Sequence, residues 1–223
     1  MTLPSTATDF NSHCLISPQI PFSDLQLDTP VKLGVMASGS GSNFEAILEA
    51  IDKGTLNAEV AVLIYNNPKA KVLARSRAWD IPAVLLNHRD YKTREELDSA
   101  IVQTLQEYQV EWVIMAGWMR VVTPVLIAAF PNKIINIHPS LLPSFKGIRA
   151  IEQALAAGVK ITGCTVHLVR AEVDSGPILL QAAVPILPND TPETLHARIQ
   201  VQEHSILPQG IAIAVNNEQL TDY

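Results

Sequence analysis

The chain reads as an α/β protein built on an open, mostly parallel twisted sheet with helices on both faces and a C-terminal antiparallel hairpin. Two patterns predict this. From Val31 to Ile137, short β-rich runs alternate with segments of helical periodicity, the order that builds a parallel sheet covered on both sides. Thr162 to Val169 and Ile178 to Pro185 are also β-rich, but only Arg170 to Pro177 separates them. That link is too short for a parallel crossover, so these two strands should pair antiparallel.

The first unit begins with the β-rich run Val31 to Met36, which breaks into Ala37-Ser38-Gly39-Ser40-Gly41-Ser42-Asn43. Phe44, Ile47, Leu48 and Ile51 follow at one-face helical spacing, Ser42 and Glu45 have the spacing of a capping box, and Gly54 can close the helix. Val60 to Tyr65 reads as a buried strand stopped by Asn66-Asn67-Pro68; a helix then runs through Ala78 and a strand through Ala83 to Leu86. Thr93, with Glu96 three residues on, caps a helix whose stripe is Leu97, Ile101 and Leu105, and Val110 to Ala116 is the strand after it. Thr123-Pro124 opens a short helix, Ile134 to Ile137 is the last strand of the alternation, and Thr191-Pro192 begins a long helix with Leu195, Ile199 and Ile206 on its apolar side.

A length of 223 residues suits one large domain. It is expected to span residues 31–223, with residues 1–30 as an N-terminal extension outside the main fold and free to be flexible. That extension has scattered Pro, Ser, Thr and Asp and only short apolar pieces, and it contains no Lys or Arg, so it lacks the charged start of a secretory signal and the character of a transit peptide. Hydrophobic residues make up 48% of the chain, but no run approaches the ~20 apolar residues of a membrane span. A formal net charge of -6 argues against nucleic acid as a partner. Cys14 and Cys164 are too few and too far apart for a disulfide framework or a zinc ribbon, which fits a reducing, cytoplasmic location.

Three places could carry chemistry. Gly39-Ser40-Gly41-Ser42-Asn43 lies between a strand and a helix, where unpaired backbone N–H groups and the helix dipole favour a phosphate or carboxylate. It lacks the Gly-Lys-Ser/Thr of a Walker loop, and Phe44 stands where the dinucleotide fingerprint has its last glycine, so a plain tight turn is an equal reading. In Asn136-Ile137-His138-Pro139-Ser140-Leu141-Leu142-Pro143, Asn136 and His138 are two apart on a strand and share a face at the carboxyl end of a parallel sheet, where ligand crevices form. The plain alternative is a strand-end Asn and His bonding loop backbone. The hairpin tip, Arg170 to Pro177, carries Asp174, a carboxylate that could meet the histidine; a polar turn explains it equally well. His167 reads as a structural or supporting histidine, and no close ligand spacing supports a metal among His138, His167 and Asp174. On the last helix, Gln202 falls within the apolar stripe with Glu203 beside it; both need polar partners, from the protein or from a ligand.

Taken together in this order, Gly39-Ser40-Gly41-Ser42-Asn43, Ala116-Gly117-Trp118-Met119-Arg120, Asn136 to Pro143, Asp174-Ser175-Gly176-Pro177 and Gln202-Glu203-His204 resemble the phosphoribosylglycinamide formyltransferases, also called glycinamide ribonucleotide transformylases. The resemblance covers roughly Lys32 to Val215 and implies the formyltransferase fold. It implies a transferase of one-carbon metabolism that moves the formyl group of 10-formyltetrahydrofolate, as cosubstrate, to the amine of 5-phosphoribosylglycinamide in purine biosynthesis, without a metal. It further implies Asn136, His138 and Asp174 as catalytic residues and Gly41, Ser42, Asn43, Gln202 and Glu203 as ribonucleotide ligands. Arg94, Met119, Arg120, Val121 and Val122 would line the folate site with the loop that holds Arg170 and Val173. Lys146-Gly147-Ile148-Arg149-Ala150 departs from the Pro-Gly and His-containing stretch of many relatives.

The Asn-x-His-Pro-Ser-Leu-Leu-Pro segment alone marks the wider formyltransferase superfamily, so formyltetrahydrofolate deformylase is the alternative enzyme. That family usually has an extra N-terminal regulatory domain and a His in place of Pro139. A noncatalytic binding module is disfavoured by the presence of all three catalytic residue types, and a dehydrogenase by the missing third glycine.

Overall fold

The computed structural model describes residues 15–21 and 25–217. A two-residue strand, β1 (Ile16–Ser17), precedes the alternation β2 (Val31–Ala37), α1 (Ser42–Asp52), β3 (Ala58–Tyr65), α2 (Val72–Ala78), β4 (Ala83–Leu85), α3 (Arg94–Glu107), β5 (Trp112–Met115), α4 (Pro124–Ala129) and β6 (Ile134–His138). Then come α5 (Ala150–Ala157), the strands β7 (Ile161–Leu168) and β8 (Ile178–Pro185), and α6 (Pro192–Asn216). Among the described residues all the strands join in one eight-stranded sheet of order β1-β8-β7-β6-β5-β2-β3-β4.

β6, β5, β2, β3 and β4 run parallel, and β7 and β8 pair antiparallel, as the short link requires. β7 is also antiparallel to β6. From β2 the chain winds outward through β3 and β4, then crosses to the other side for β5 and β6. The connection therefore reverses between β2 and β5, and the crevice outside the carboxyl ends of those strands is where an open α/β sheet accepts ligands.

Alternation along the strands divides the core in two. Phe44 and Ile47 of α1 and Leu195, Ile199 and Ile206 of α6 pack on one face against Leu33, Val35, Ile135, Ile137 and Val166. Leu97, Ile101 and Leu105 of α3 and Leu126 of α4 pack on the other against Met36, Val113, Met115 and Ile134. Thr93 and Thr123 cap α3 and α4 through their hydroxyls, and Thr191 with Thr194 forms a capping box on α6.

Three expectations change. The Ser42–Glu45 capping box does not form: Gly41 is the N-cap, with no side-chain cap, and Glu45 instead pairs with Arg75. Helix α5 was not read from the sequence, although Ala150, Ile151 and Ala154 bury one face and Gly158 closes its end. Part of the expected extension belongs to the fold. Ile16 and Ser17 pair with Ala182 and Gln181 of β8, the Ala183 N–H donates to the Leu15 carbonyl (2.8 Å), and Leu25 and Leu27 are buried in the core. An unpaired sheet edge and apolar surface on α1 and α6 are what this segment covers. Residues 1–14, with Cys14, and residues 22–24 and 218–223 lie outside the described residues. Among the described residues no helix is long and apolar enough to cross a membrane.

Candidate active site

Asn136 and His138 point to the α3–α4 face, since their neighbours Ile135 and Ile137 pack on the other. Pairing puts His167 of β7 opposite Asn136 and Thr165 opposite His138, on the same face. Instead of a helix, two loops lie over these residues: 139–149 after β6 and 169–177 after β7.

Asp174 comes from the second loop. The register sets Leu168 opposite Ile135, so β7 ends near the start of β6, and the loop must fold back to reach the far end. Its carboxylate meets His138 Nδ1 at 3.3 Å and lies 3.6 Å from His167 Nε2. The Gly147 N–H donates to Asp174 Oδ2 at 2.8 Å, and Lys146 pairs with Glu172 at 3.3 Å, so the departing Lys146–Ala150 stretch ties the two loops together. Burial alone would raise the Asp174 carboxyl; the His167 ring, the Gly147 N–H and the charge of His138 outweigh it and hold that carboxyl below the ordinary range.

His138 is buried, and both ring nitrogens are engaged. Nδ1 faces Asp174, and Nε2 donates to the Phe145 carbonyl at 2.9 Å. The His167 Nδ1–H donates to the Leu168 carbonyl (2.9 Å), which leaves Nε2 as an acceptor in the neutral ring, 3.1 Å from Asn136 Nδ2. An amide NH₂ has two donors, so this bond orients Asn136 and leaves the second N–H for another acceptor. His167 Nε2 thus stands between two groups: it accepts from Asn136 in the neutral ring and can donate to Asp174 Oδ1, 3.6 Å away, only when it carries a proton, which is the supporting role the sequence suggested. Thr165 supports the neighbouring turn: it donates to the Ser140 carbonyl (2.7 Å) and accepts from the Leu142 N–H (3.1 Å).

The second cluster sits at the N-terminus of α1. Gly41 adopts φ +77, and a Cβ there would lie 2.4 Å from Val72 Cγ2, so this turn needs glycine for both conformation and space. Asn43 donates through Nδ2 to Glu203 Oε2 at 3.0 Å, and its buried Oδ1 has no donor among the described residues. Burial pushes the Glu203 carboxyl up, only partly offset by the Asn43 amide and then the charge of His196. Gln202 is buried on α6 beside it; the side chain that reaches the loop is Gln200, which donates to Ser42 Oγ at 2.7 Å. Gln200 was missed because one helical turn before Glu203 is visible as a neighbour only once α6 is docked on α1.

The expected folate residues lie on three segments. Met119 is 79% exposed, Val121 and Val173 are exposed, Val122 is buried, and Arg94 opens α3 on the surface. Arg120 has a buried Nε with no acceptor among the described residues, and Arg170 donates to the Val169 carbonyl at 3.2 Å. Exposed Met and Val on irregular backbone beside the crevice suit a flat apolar ligand. Among the described residues no group of three or more His, Cys, Asp or Glu could hold a metal ion.

Residues 31–211 match the formyl transferase family. The chain is 43% identical over 188 residues to the phosphoribosylglycinamide formyltransferase of Bacillus subtilis, covering 83% of this chain and 96% of that protein. It is 40% identical over 185 residues to the human trifunctional purine biosynthetic protein adenosine-3, but spans only 18% of that protein's length. The chicken counterpart is 41% identical, and again 18% of it is spanned. Among solved structures, glycinamide ribonucleotide transformylase 1 from Symbiobacterium toebii superposes with a TM-score of 0.82 at 46% identity, covering 83% of this chain and 88% of that one. Phosphoribosylglycinamide formyltransferase from Bacillus halodurans gives 0.81 at 43% identity, covering 86% and 100%.

Proposed function

Because the chain belongs to the formyl transferase family, among its phosphoribosylglycinamide formyltransferases, we propose that it transfers the formyl group of 10-formyltetrahydrofolate to the amine of 5-phosphoribosylglycinamide by direct attack. The observation that carries the reading is the contact of His138, Asp174, His167 and Asn136 on one sheet face at the carboxyl end of β6.

The neutral amine attacks the formyl carbon, and a tetrahedral oxyanion forms. The free N–H of Asn136 donates to that oxygen, a contribution of about 2.7–4 kcal/mol for one well-placed donor. Collapse breaks the bond from carbon to the folate N10, which takes a proton from His138, and the proton lost by the attacking nitrogen restores His138; formylated ribonucleotide and tetrahydrofolate leave. Asp174, held ionised by its neighbours, favours the imidazolium of His138. For Nε2 to serve as the acid it must exchange the Phe145 carbonyl for the substrate, so loop 139–149 shifts when substrates bind.

Gly41, Ser42 and Asn43 would hold the phosphate at the α1 N-terminus, with Glu203, Gln202 and the structurally identified Gln200 toward the ribose. Arg94, Met119, Arg120, Val121, Val122, Arg170 and Val173 would line the folate site. The setting is cytoplasmic, with small molecules as the partners.

The test is tetrahydrofolate production from 10-formyltetrahydrofolate by the purified chain, with and without the ribonucleotide. Turnover that requires the amine is expected. Formate release of equal rate without it would replace this reading by a deformylase, and no reaction in either case would remove the enzymatic proposal.

A further inference from the structure

Asp98 is a buried carboxylate that takes no part in the chemistry above. It lies on α3 one turn after Arg94 and is 2% exposed. Its Oδ2 accepts the backbone N–H of Thr123 at 2.5 Å, and the Thr123 side chain also acts to hold the carboxyl down. The Thr123 hydroxyl accepts the Val125 N–H at 3.3 Å as the N-cap of α4. Thr123 is thus fixed from both sides, by the carboxylate of α3 and by the helix it starts.

The consequence falls on the residues just before it. The stretch from Gly117 to Thr123 has no regular structure. At its first end the Ser38 N–H donates to the Gly117 carbonyl (3.1 Å), and the Met119 N–H donates to Ser38 Oγ (2.9 Å). At its second end the hold is Asp98. Arg120, between the two, has a buried Nε without an acceptor among the described residues, and its charge is close enough to act on the Asp98 carboxyl.

We propose that Asp98 is a positioning residue for the folate donor: through Thr123 it sets the main-chain course of Met119 to Val122, the wall on which the donor's ring system rests. The proposal depends on the reading of those residues as the folate site. Stability is a poor reason for this side chain. Burial, helped by the like charge of Glu95, raises its carboxyl above the ordinary range despite Thr123 and the pull of Arg120. A group whose folded-state value is raised holds its charge at a net cost at neutral pH, which a neutral side chain of the same shape would not bear.

The experiment compares wild type, Asp98→Ala and Asp98→Asn by KM for 10-formyltetrahydrofolate, KM for the ribonucleotide, thermal midpoint and amide hydrogen exchange of residues 119–122. For Asp98→Ala the folate KM should rise about tenfold with the ribonucleotide KM changed less than about twofold, and exchange at 119–122 should quicken. Asp98→Asn keeps an acceptor for the Thr123 N–H, so its folate KM should rise less, with a thermal midpoint no lower than wild type. Both KM values rising together with a lowered midpoint in Asp98→Asn would make the residue merely structural and overturn the proposal. If folate slows exchange at 119–122 in wild type yet Asp98→Ala keeps its folate KM, Asp98 does not position the wall. If folate leaves that exchange unchanged in wild type, the folate-site reading itself fails, and the proposal with it.

Discussion

His138 is held between two acceptors, and the ring can satisfy both only with a proton on each nitrogen. Replacing it with Ala removes the proton donor and leaves the α1 loop intact, so kcat should fall by about 10²–10⁴-fold while ribonucleotide affinity, measured by calorimetry, is kept. Asp174 gives a pH test. Its carboxyl is depressed in the fold, so its stabilising contribution is fully present above the unfolded value near 3.8 and is lost as pH falls through the lower folded value. In urea titrations the stability gap between wild type and Asp174→Asn should be constant near neutrality and close on acidification below 3.8; a gap unchanged at about pH 2 would contradict the assignment.

The α1 N-terminus and the α6 N-terminus are set by different chemistry. At α1 the turn is made by Gly41 in the left-handed region with Val72 against it. Ala there costs about 1–2 kcal/mol in backbone strain and must displace Val72, so Gly41→Ala should raise the ribonucleotide KM about tenfold while the folate KM stays within about twofold. At α6 the organiser is Asp190, which accepts from the Leu187 N–H (2.7 Å), the Thr194 hydroxyl (2.9 Å) and both terminal nitrogens of Arg198 (2.8 and 2.9 Å). The Arg198 fork, acting against burial and helped by the Leu187 and Thr194 donors, pulls its carboxyl down to about 2. Its contribution is present above the unfolded 3.8 and lost as pH falls toward 2. Asp190→Ala should therefore cost about 1–2 kcal/mol at pH 7 after allowance for solvent screening, with the loss vanishing in acid, as read by urea denaturation.

At the scale of the molecule, the sheet would end at β8 were it not for Ile16 and Ser17. Removing residues 1–20 opens that edge. The thermal midpoint should drop by about 2–4 °C for each kcal/mol lost, and concentration-dependent association should appear in size-exclusion chromatography as β8 seeks another strand. Turnover at saturating substrate should be unchanged, since β1 lies at the sheet edge, two strands beyond β7 and three beyond β6. An unaltered midpoint would mean that the edge strand adds nothing to stability.

The alternation of Val31 to Ile137, the short link of the hairpin and the caps at Thr93, Thr123 and Thr191 are local signals, and each specifies its element without help from distant residues. They predicted the parallel sheet, its antiparallel end and the common face of Asn136 and His138. Ordered motifs, rather than any one of them, pointed to the family. What depends on contacts far apart in sequence was decided only by the tertiary structure. Glu45 leaves its cap for Arg75, Gln200 rather than its neighbour Gln202 reaches Ser42, His167 meets Asn136 because strand register brings them within hydrogen-bond range, and Asp174 reaches His138 only because its loop folds back. Ile16, Leu25 and Leu27 look like stray apolar residues in a polar extension. They become structural because β8 has an open edge and the core has apolar surface left to cover, neither of which is written in the local pattern.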